Sequence, residues 1–346
     1  MKTTKVAING FGRIGRAFLK IALDLPADEG GRQPIEIVAI NDLGSIESLS
    51  YLLKYDTVYG KYNHKVEMTT DSLIIDGKKI KFISERDTTK LPWKELDVDV
   101  VVESTGVFNS YDKASFHLTQ GAKRIVISAP AKEEDEVKGE TVLMGVNEDK
   151  LSTCQISSNG SCTTNAASPI ISILHDAIGV EKAILNTVHG YTATQSLVDG
   201  PSKGDLRKGR AAAQNIIPSS TGAAIAVTEA FPELKGLFDG VAIRVPVISG
   251  SIVDITFISK KNTSKEEINE ILKKASQDKK WDKIFAVTED PIVSSDILGE
   301  SHAAIADLDM TRVVDGNLVK VLAWYDNEMG YTHTLVDHVI KAGETI

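Results

Sequence analysis

The first half of the chain alternates short blocks of β-branched and apolar residues with segments whose apolar positions recur at helical spacing. Residues 5–8 read as a short strand, residues 14–23 as a helix with Ile14, Phe18, Ile21 and Ala22 on one face, and residues 35–40 as a second apolar strand. Residues 98–103 and 124–128 are further strands, separated by a polar-faced helix over 112–120. Strand and helix in alternation predict a doubly wound parallel sheet of the α/β class. From about Cys162 the pattern changes. Residues 183–189, 241–247, 251–259 and 317–325 are longer runs with apolar residues at every second position, as in a half-exposed, mostly antiparallel sheet. Residues 328–341 carry Leu335, Val336, Val339 and Ile340 at helical spacing and predict a closing helix. The expected architecture is α/β plus α+β: a parallel-sheet domain over 1–161, a second domain over 162–327, and a helix over 328–346 that packs back on the first.

Composition narrows the function classes. The 346 residues, 42% hydrophobic and 25% charged, are the balance of an ordinary globular protein of about two domains. The net charge of −9 would repel nucleic acid and anionic lipid, so an anionic ligand has to be met by local donors. Two cysteines, Cys154 and Cys162, are too few for a disulfide framework and fit a reducing, cytoplasmic setting. Arg13 and Arg16 interrupt the N-terminal apolar stretch before it reaches the length of a signal-peptide core. No apolar run approaches the 20 or so residues of a membrane span. The charged run over 132–140 reads as a solvated surface turn, and no His, Cys or carboxylate spacing points to a metal.

Behind the first strand stands Gly10-Phe11-Gly12-Arg13-Ile14-Gly15, the G-x-G-x-x-G spacing that brings a helix N-terminus against a pyrophosphate. Asn41-Asp42 closes the second strand, where the Asp42 carboxylate can accept from a ribose diol and disfavour the extra phosphate of NADP. A Rossmann-type domain with NAD as cofactor is the expectation. A polar insert over 26–34 lengthens the first crossover. Ser104-Thr105-Gly106 and Ser128-Ala129-Pro130 each end an apolar strand, the edge at which such sheets bind ligands, although ordinary turns would read the same way.

Cys162 lies in Ser161-Cys162-Thr163-Thr164-Asn165 at the start of an apolar-periodic helix. A helix N-terminus would lower a thiol pKa and stabilise an oxyanion, so Cys162 is read as reactive and Cys154 as structural. Pro169 is expected to kink that helix. Of the seven histidines, His189 ends a strand and precedes Gly190-Tyr191-Thr192-Ala193-Thr194, a position suited to a base. Arg244 interrupts an apolar strand and needs an anion, either an internal carboxylate or a substrate phosphate. Ser219-Ser220-Thr221-Gly222 precedes an apolar helix and reads as a second anion site or as plain N-capping. Arg207 and Arg210 lie in the basic loop before it.

Taken together, NGFGRIGR at 9–16, SCTTN at 161–165, HGYTATQ at 189–195, SSTGAA at 219–224, AIRVPV at 242–247 and WYDNEMGY at 324–331 resemble phosphorylating glyceraldehyde-3-phosphate dehydrogenase over essentially the whole chain. The resemblance implies Cys162 as nucleophile and His189 as general base. Thr192, Thr194 and Arg244 would surround the phosphate of glyceraldehyde 3-phosphate. Ser161, Thr163, Thr221 and Gly222 would hold inorganic phosphate, with Arg210 contributing. Asn327 and Tyr331 would shape the nicotinamide pocket, Arg86 would join Gly10, Phe11, Gly12, Arg13, Ile14, Gly15, Asp42, Thr105, Gly106 and Ser128 on the cofactor, and the assembly would be a homotetramer. Ala166, where the family usually has a second Cys, and Gly190, where it has Ser, depart from the pattern. Erythrose-4-phosphate dehydrogenase, whose thioester is resolved by water, and a non-catalytic NAD-binding regulator are the rival readings.

Overall fold

The computed structural model describes residues 3–131 and 137–346. Two compact units divide them. The first takes the chain to Val142, Asn147–Gly160 and Thr332–Ile346; the second takes Leu143–Val146 and Ser161–Tyr331.

The first unit is built on β1 (Thr4–Asn9), α1 (Arg13–Asp24), β2 (Ile35–Asn41) and α2 (Ile46–Lys54), followed by a two-strand ribbon of β3 (Tyr55–Asp56) and β4 (Gly60–Lys61). Then come β5 (Val66–Met68), β6 (Ser72–Ile75), β7 (Lys78–Ile83), β8 (Val100–Glu103), α3 (Tyr111–Ala114), α4 (Phe116–Thr119), β9 (Arg124–Ile127), β10 (Glu140–Thr141) and β11 (Ile156–Ser158). The sheet order is β10-β11-β9-β8-β1-β2-β7-β6-β5. Its pairs are parallel from β10 to β7, and the β7-β6-β5 end is antiparallel. All four residues of β8 are buried, as in a sheet covered on both faces. The chain leaves β1 for β2 on one side and places β8 on the other, so the carboxyl end of β1 is the switch point at which ligands bind.

The helix expected over 112–120 is two short helices. Ser115 donates its hydroxyl to the Asp112 carbonyl at the break, and Tyr111, Ala114 and His117 turn inward. Of the charged run at 132–140, residues 132–136 lie outside the described residues, and Glu140 enters β10.

The second unit contains α5 (Cys162–Ile178), β12 (Val180–Gly190), β13 (Ile217–Ser220), α6 (Ala223–Ala230), β14 (Phe238–Val245), β15 (Ser251–Ser259), α7 (Lys265–Ser276), β16 (Phe285–Thr288), β17 (Ala304–Val314) and β18 (Leu318–Tyr325). The order β13-β14-β12-β15-β18-β17-β16 is mostly antiparallel, with β12–β14 and β16–β17 parallel. Along β15 burial alternates without exception. The 11-residue β17 escapes the period-2 reading because its ladder is irregular between Asp307 and Arg312. Helix α5, buried along nearly its whole length, packs on α6, α7 and the sheet.

Candidate active site

The glycine motif folds as its spacing predicts, and two glycines show why. Gly10 has φ +97°, and a Cβ there would sit 2.6 Å from the backbone of Ser104 and Thr105. A Cβ on Gly15 would lie 2.2 Å from the Gly10 carbonyl oxygen. Bare backbone therefore lets α1 start directly behind β1, with Gly12 as its N-cap. The Asp42 carboxylate ties this loop to β2: one oxygen accepts from the Phe11 N–H at 2.6 Å and the other from the Gly44 N–H at 2.7 Å.

Above these turns lies a cavity of about 520 Å³ within the first unit. Gly10, Gly12, Asp42, Arg86 and Thr105 line it, and so do Asn9, Asn41, Glu85, Leu91 and Phe108. The remaining motif positions serve differently. Phe11 is in the core, Gly15 is buried under the Gly10 carbonyl, and the Arg13 guanidinium turns to Asp56 at 2.6 Å and over the Tyr59 ring. Ile14, Gly106 and Ser128 do not line this cavity; Gly106 is a turn glycine with φ +73°, and Ser128 directly follows β9. Asn41 is the last residue of β2 and Glu85 lies two residues beyond β7; neither carries a motif of its own.

In the second unit Ser161 caps α5 in a capping box with Thr164, placing Cys162 at the first helical position. His189 ends β12, and its Nε2 lies 3.3 Å from Cys162 Sγ. Arg244 pairs directly with His189 in the β12–β14 register. Its Nη1 stands 2.6 Å from His189 Nδ1 and donates to the Gly190 carbonyl at 3.2 Å, the oxygen that also accepts from His189 Nδ1–H at 2.6 Å and so leaves Nε2 free to accept; among the described residues no carboxylate pairs with Arg244.

Burial and the Arg244 cation push the His189 pKa down to about 3, so the imidazole is neutral at physiological pH. Burial also pushes the Cys162 thiol up, with Arg244 and the Thr163 N–H pulling the other way. Where the sequence suggests a lowered thiol pKa, burial instead raises it. Cys154, half-buried, is likewise raised by burial.

The hydroxyls of Thr192 and Thr194 meet at 2.9 Å on the loop that follows His189. Thr163 is buried with its hydroxyl 2.9 Å from that of Tyr325, which also meets Thr187 at 2.7 Å and packs edge-on against the His189 ring. Tyr325 was missed; its sequence signal is that of a core strand residue. Ser220, Thr221 and Gly222 lead into α6, where Thr221 accepts from the Ala223 N–H and a Cβ at Gly222 would meet nothing within 4 Å. Arg210 is exposed and paired with Asp199 at 2.8 Å, so its guanidinium is engaged elsewhere than at this turn. Asn327 Oδ1 accepts from Ser251 and from the Gly250 N–H, and Tyr331 is buried.

A dinucleotide cradle in one unit and a thiol–imidazole pair beside an arginine in the other fit a nucleotide-dependent oxidoreductase. Comparison with known proteins specifies it. Residues 4–111 match the glyceraldehyde 3-phosphate dehydrogenase NAD binding domain, and residues 161–327 match the glyceraldehyde 3-phosphate dehydrogenase C-terminal domain. The chain is 49% identical over 340 residues to a glyceraldehyde-3-phosphate dehydrogenase of Borreliella burgdorferi, covering 96% of this chain and 98% of that one. It is 46% identical over 346 residues to that of Streptomyces coelicolor (99% and 100% covered) and 47% identical over 336 residues to glyceraldehyde-3-phosphate dehydrogenase 1 of Kluyveromyces lactis (97% and 98% covered). The chain belongs to the glyceraldehyde-3-phosphate dehydrogenase family, and its cofactor is NAD.

Proposed function

We propose that this protein oxidises glyceraldehyde 3-phosphate with NAD and inorganic phosphate to 1,3-bisphosphoglycerate. The observation that carries the assignment is the Cys162–His189–Arg244 row, which puts a nucleophile, a neutral base and a lone cation side by side. The first unit fits the dinucleotide: the cradle at Gly10 and Gly15 exists only without side chains, and Gly12 opens on the cavity. Asp42 keeps lone pairs beyond its two backbone bonds for a ribose diol.

Since thiol and imidazole are both neutral at rest, His189 Nε2 takes the Cys162 proton as Sγ attacks the aldehyde carbon. The carbonyl π electrons move to oxygen, which the Cys162 N–H at the head of α5 and the new imidazolium stabilise, giving a thiohemiacetal. NAD, when bound, supplies the acceptor for the hydride whose loss leaves a thioester on Cys162. Before the hydride leaves, the imidazolium gives its proton to the thiohemiacetal oxygen, and the neutral imidazole takes it back as the hydride departs and passes it to solvent. A phosphate oxygen attacks the thioester, the C–S bond breaks, and Cys162 leaves as thiolate to be reprotonated. Arg244, Thr192 and Thr194 hold the substrate phosphate; Ser161, Thr163, Thr221, Gly222 and the head of α6 hold the attacking one. Asn327 and Tyr331 belong to the nicotinamide end of the site. Arg210 joins the phosphate site by exchanging Asp199 for the anion.

The setting we propose is cytoplasmic, supported by two free cysteines, and the assembly a homotetramer. Among the described residues no helix is long and apolar enough to cross a membrane. Steady-state NADH formation from glyceraldehyde 3-phosphate tests the activity, with erythrose 4-phosphate as the competing aldehyde. Omitting inorganic phosphate is expected to cut turnover at least a hundredfold, on the order of losing the attacking group. Turnover that continues undiminished in its absence overturns the phosphorylating assignment.

A further inference from the structure

Beneath the dinucleotide cavity lies a buried polar chain that the catalytic cycle does not use. Glu103, the last residue of β8, is 1% exposed, His117 of α4 and Trp93 are 0%, and Asn9 is 2%. The Trp93 indole N–H donates to His117 Nδ1 at 2.8 Å. An indole nitrogen can only donate, so Nδ1 accepts and Nε2 carries the proton of a neutral imidazole. Burial also pushes the His117 pKa down. Nε2–H then donates to Glu103 Oε2 at 3.1 Å, beside Asn9 Nδ2 at 2.6 Å. The other oxygen, Oε1, takes the Thr105 N–H at 2.9 Å and the Thr105 hydroxyl. Every group around the carboxyl is a donor, the environment of an acceptor-only carboxylate.

The two far ends of this chain are cavity wall. Thr105, its hydroxyl proton committed to Glu103 and one lone pair taken by the Val107 N–H at 3.1 Å, can only accept on its cavity side. Asn9, its amide nitrogen turned to Glu103, presents Oδ1 to Asn41 Nδ2 at 2.8 Å, and Asn41 in turn bonds the Glu85 backbone twice. The apolar wall rests on the same node, since Phe108 packs edge-on against Phe116, and Phe116 lies against the His117 ring at 4.0 Å.

We propose that Glu103 is a positioning residue that sets the hydrogen-bond polarity of the dinucleotide pocket, holding Thr105 as an acceptor for a donor group of the cofactor and fixing the Asn9–Asn41 amide chain. His117 and Trp93 keep the carboxylate supplied with a donor of fixed tautomer. A glutamine at 103 would put an N–H₂ against one set of these donors and force Thr105 or Asn9 to turn round.

This inference rests on assigning the cavity to NAD, and a double-mutant cycle separates the two. NAD dissociation constants are measured by fluorescence titration for the parent, Glu103→Gln, Thr105→Val and the double variant. Each single variant is expected to weaken NAD about tenfold, the scale of one lost charge-assisted or buried hydrogen bond. The double variant is expected to fall well short of the hundredfold product, because both changes remove the same interaction. If Thr105→Val leaves binding unchanged, the cavity assignment fails. If Thr105→Val weakens binding while Glu103→Gln has no effect, or the two effects multiply in full, the cavity stands and the role of Glu103 is overturned. Independently of any variant's folding, ¹⁵N spectra of the histidine-labelled parent should show His117 as the neutral Nε2–H tautomer from pH 8 to pH 5. An Nδ1–H tautomer or an imidazolium in that range also overturns it.

Discussion

At the residue scale, the state of the reacting pair decides how the reaction begins. A raised thiol pKa and an imidazole pKa lowered to about 3 favour the neutral pair over a thiolate–imidazolium pair at rest. The sign is definite: the thiolate fraction grows only as pH rises through the raised Cys162 pKa, and His189 gains a proton only far below neutrality. Alkylation of Cys162 by iodoacetamide should therefore climb in one step, above the ordinary thiol value of about 8.5, with no plateau of reactivity between pH 5 and 7. Arg244→Met removes a cation that favours thiolate, so alkylation at pH 8 should slow by roughly threefold to tenfold. A reactive plateau at pH 5–7 in the parent would mean a preformed ion pair and refute the order of events proposed here. Cys162 and His189 were both visible in the sequence, one in a small polar cluster before an apolar helix and the other at a strand end. The desolvation of the Cys162 thiol was not visible, because it depends on what packs round it.

At the scale of elements, the first turn of α1 shows how closely local spacing specifies a binding surface. Gly15 has no room for a methyl group because the Gly10 carbonyl oxygen would lie 2.2 Å away and the Ile8 side chain 3.2 Å away, both fixed by β1. Gly12, two residues into the same motif, is open. Gly15→Ala is expected to destabilise the protein by about 1–3 kcal/mol, since α1 must move off β1 to admit the methyl, and to weaken NAD more than tenfold. Gly12→Ala should unfold at the parent's urea midpoint and affect only NAD binding. Identical midpoints for both variants would disprove this division of labour. Elements with one clean period, such as β1, α1 and β15, were legible in the sequence. Those that failed had a local competitor: Ser115 splits the helix expected over 112–120, and the irregular register between Asp307 and Arg312 hides β17. Helix α7, with only Ile268 and Leu272 buried, offers a stripe too thin to stand out.

For the whole molecule, the net charge of −9 says little about ligands that are all anions, since in the proposed site Arg244, the threonine hydroxyls and the helix ends would meet them locally. The proposed association would draw instead on the sheet of the second unit. Ile243, Val188, Ile252 and Trp324 face one another in register across β14, β12, β15 and β18, and all four stay partly exposed. Beside them Ile184 is 65% exposed, Val241 is 52% exposed, and the buried Asn186 Oδ1 has no hydrogen-bond partner. A monomer that left this face in water would carry an apolar patch of the kind that marks an interface. The homotetramer proposed for this chain predicts a light-scattering mass of about four times 37.4 kDa. Replacing Ile184 and Val241 together by Glu should reduce that mass by a factor of two or four while leaving the chain folded, because both side chains are already solvated in the single chain and burying two charges would oppose association. A parent mass of 37.4 kDa would refute the assembly, and a double variant of undiminished mass would show that this face is not where the copies meet.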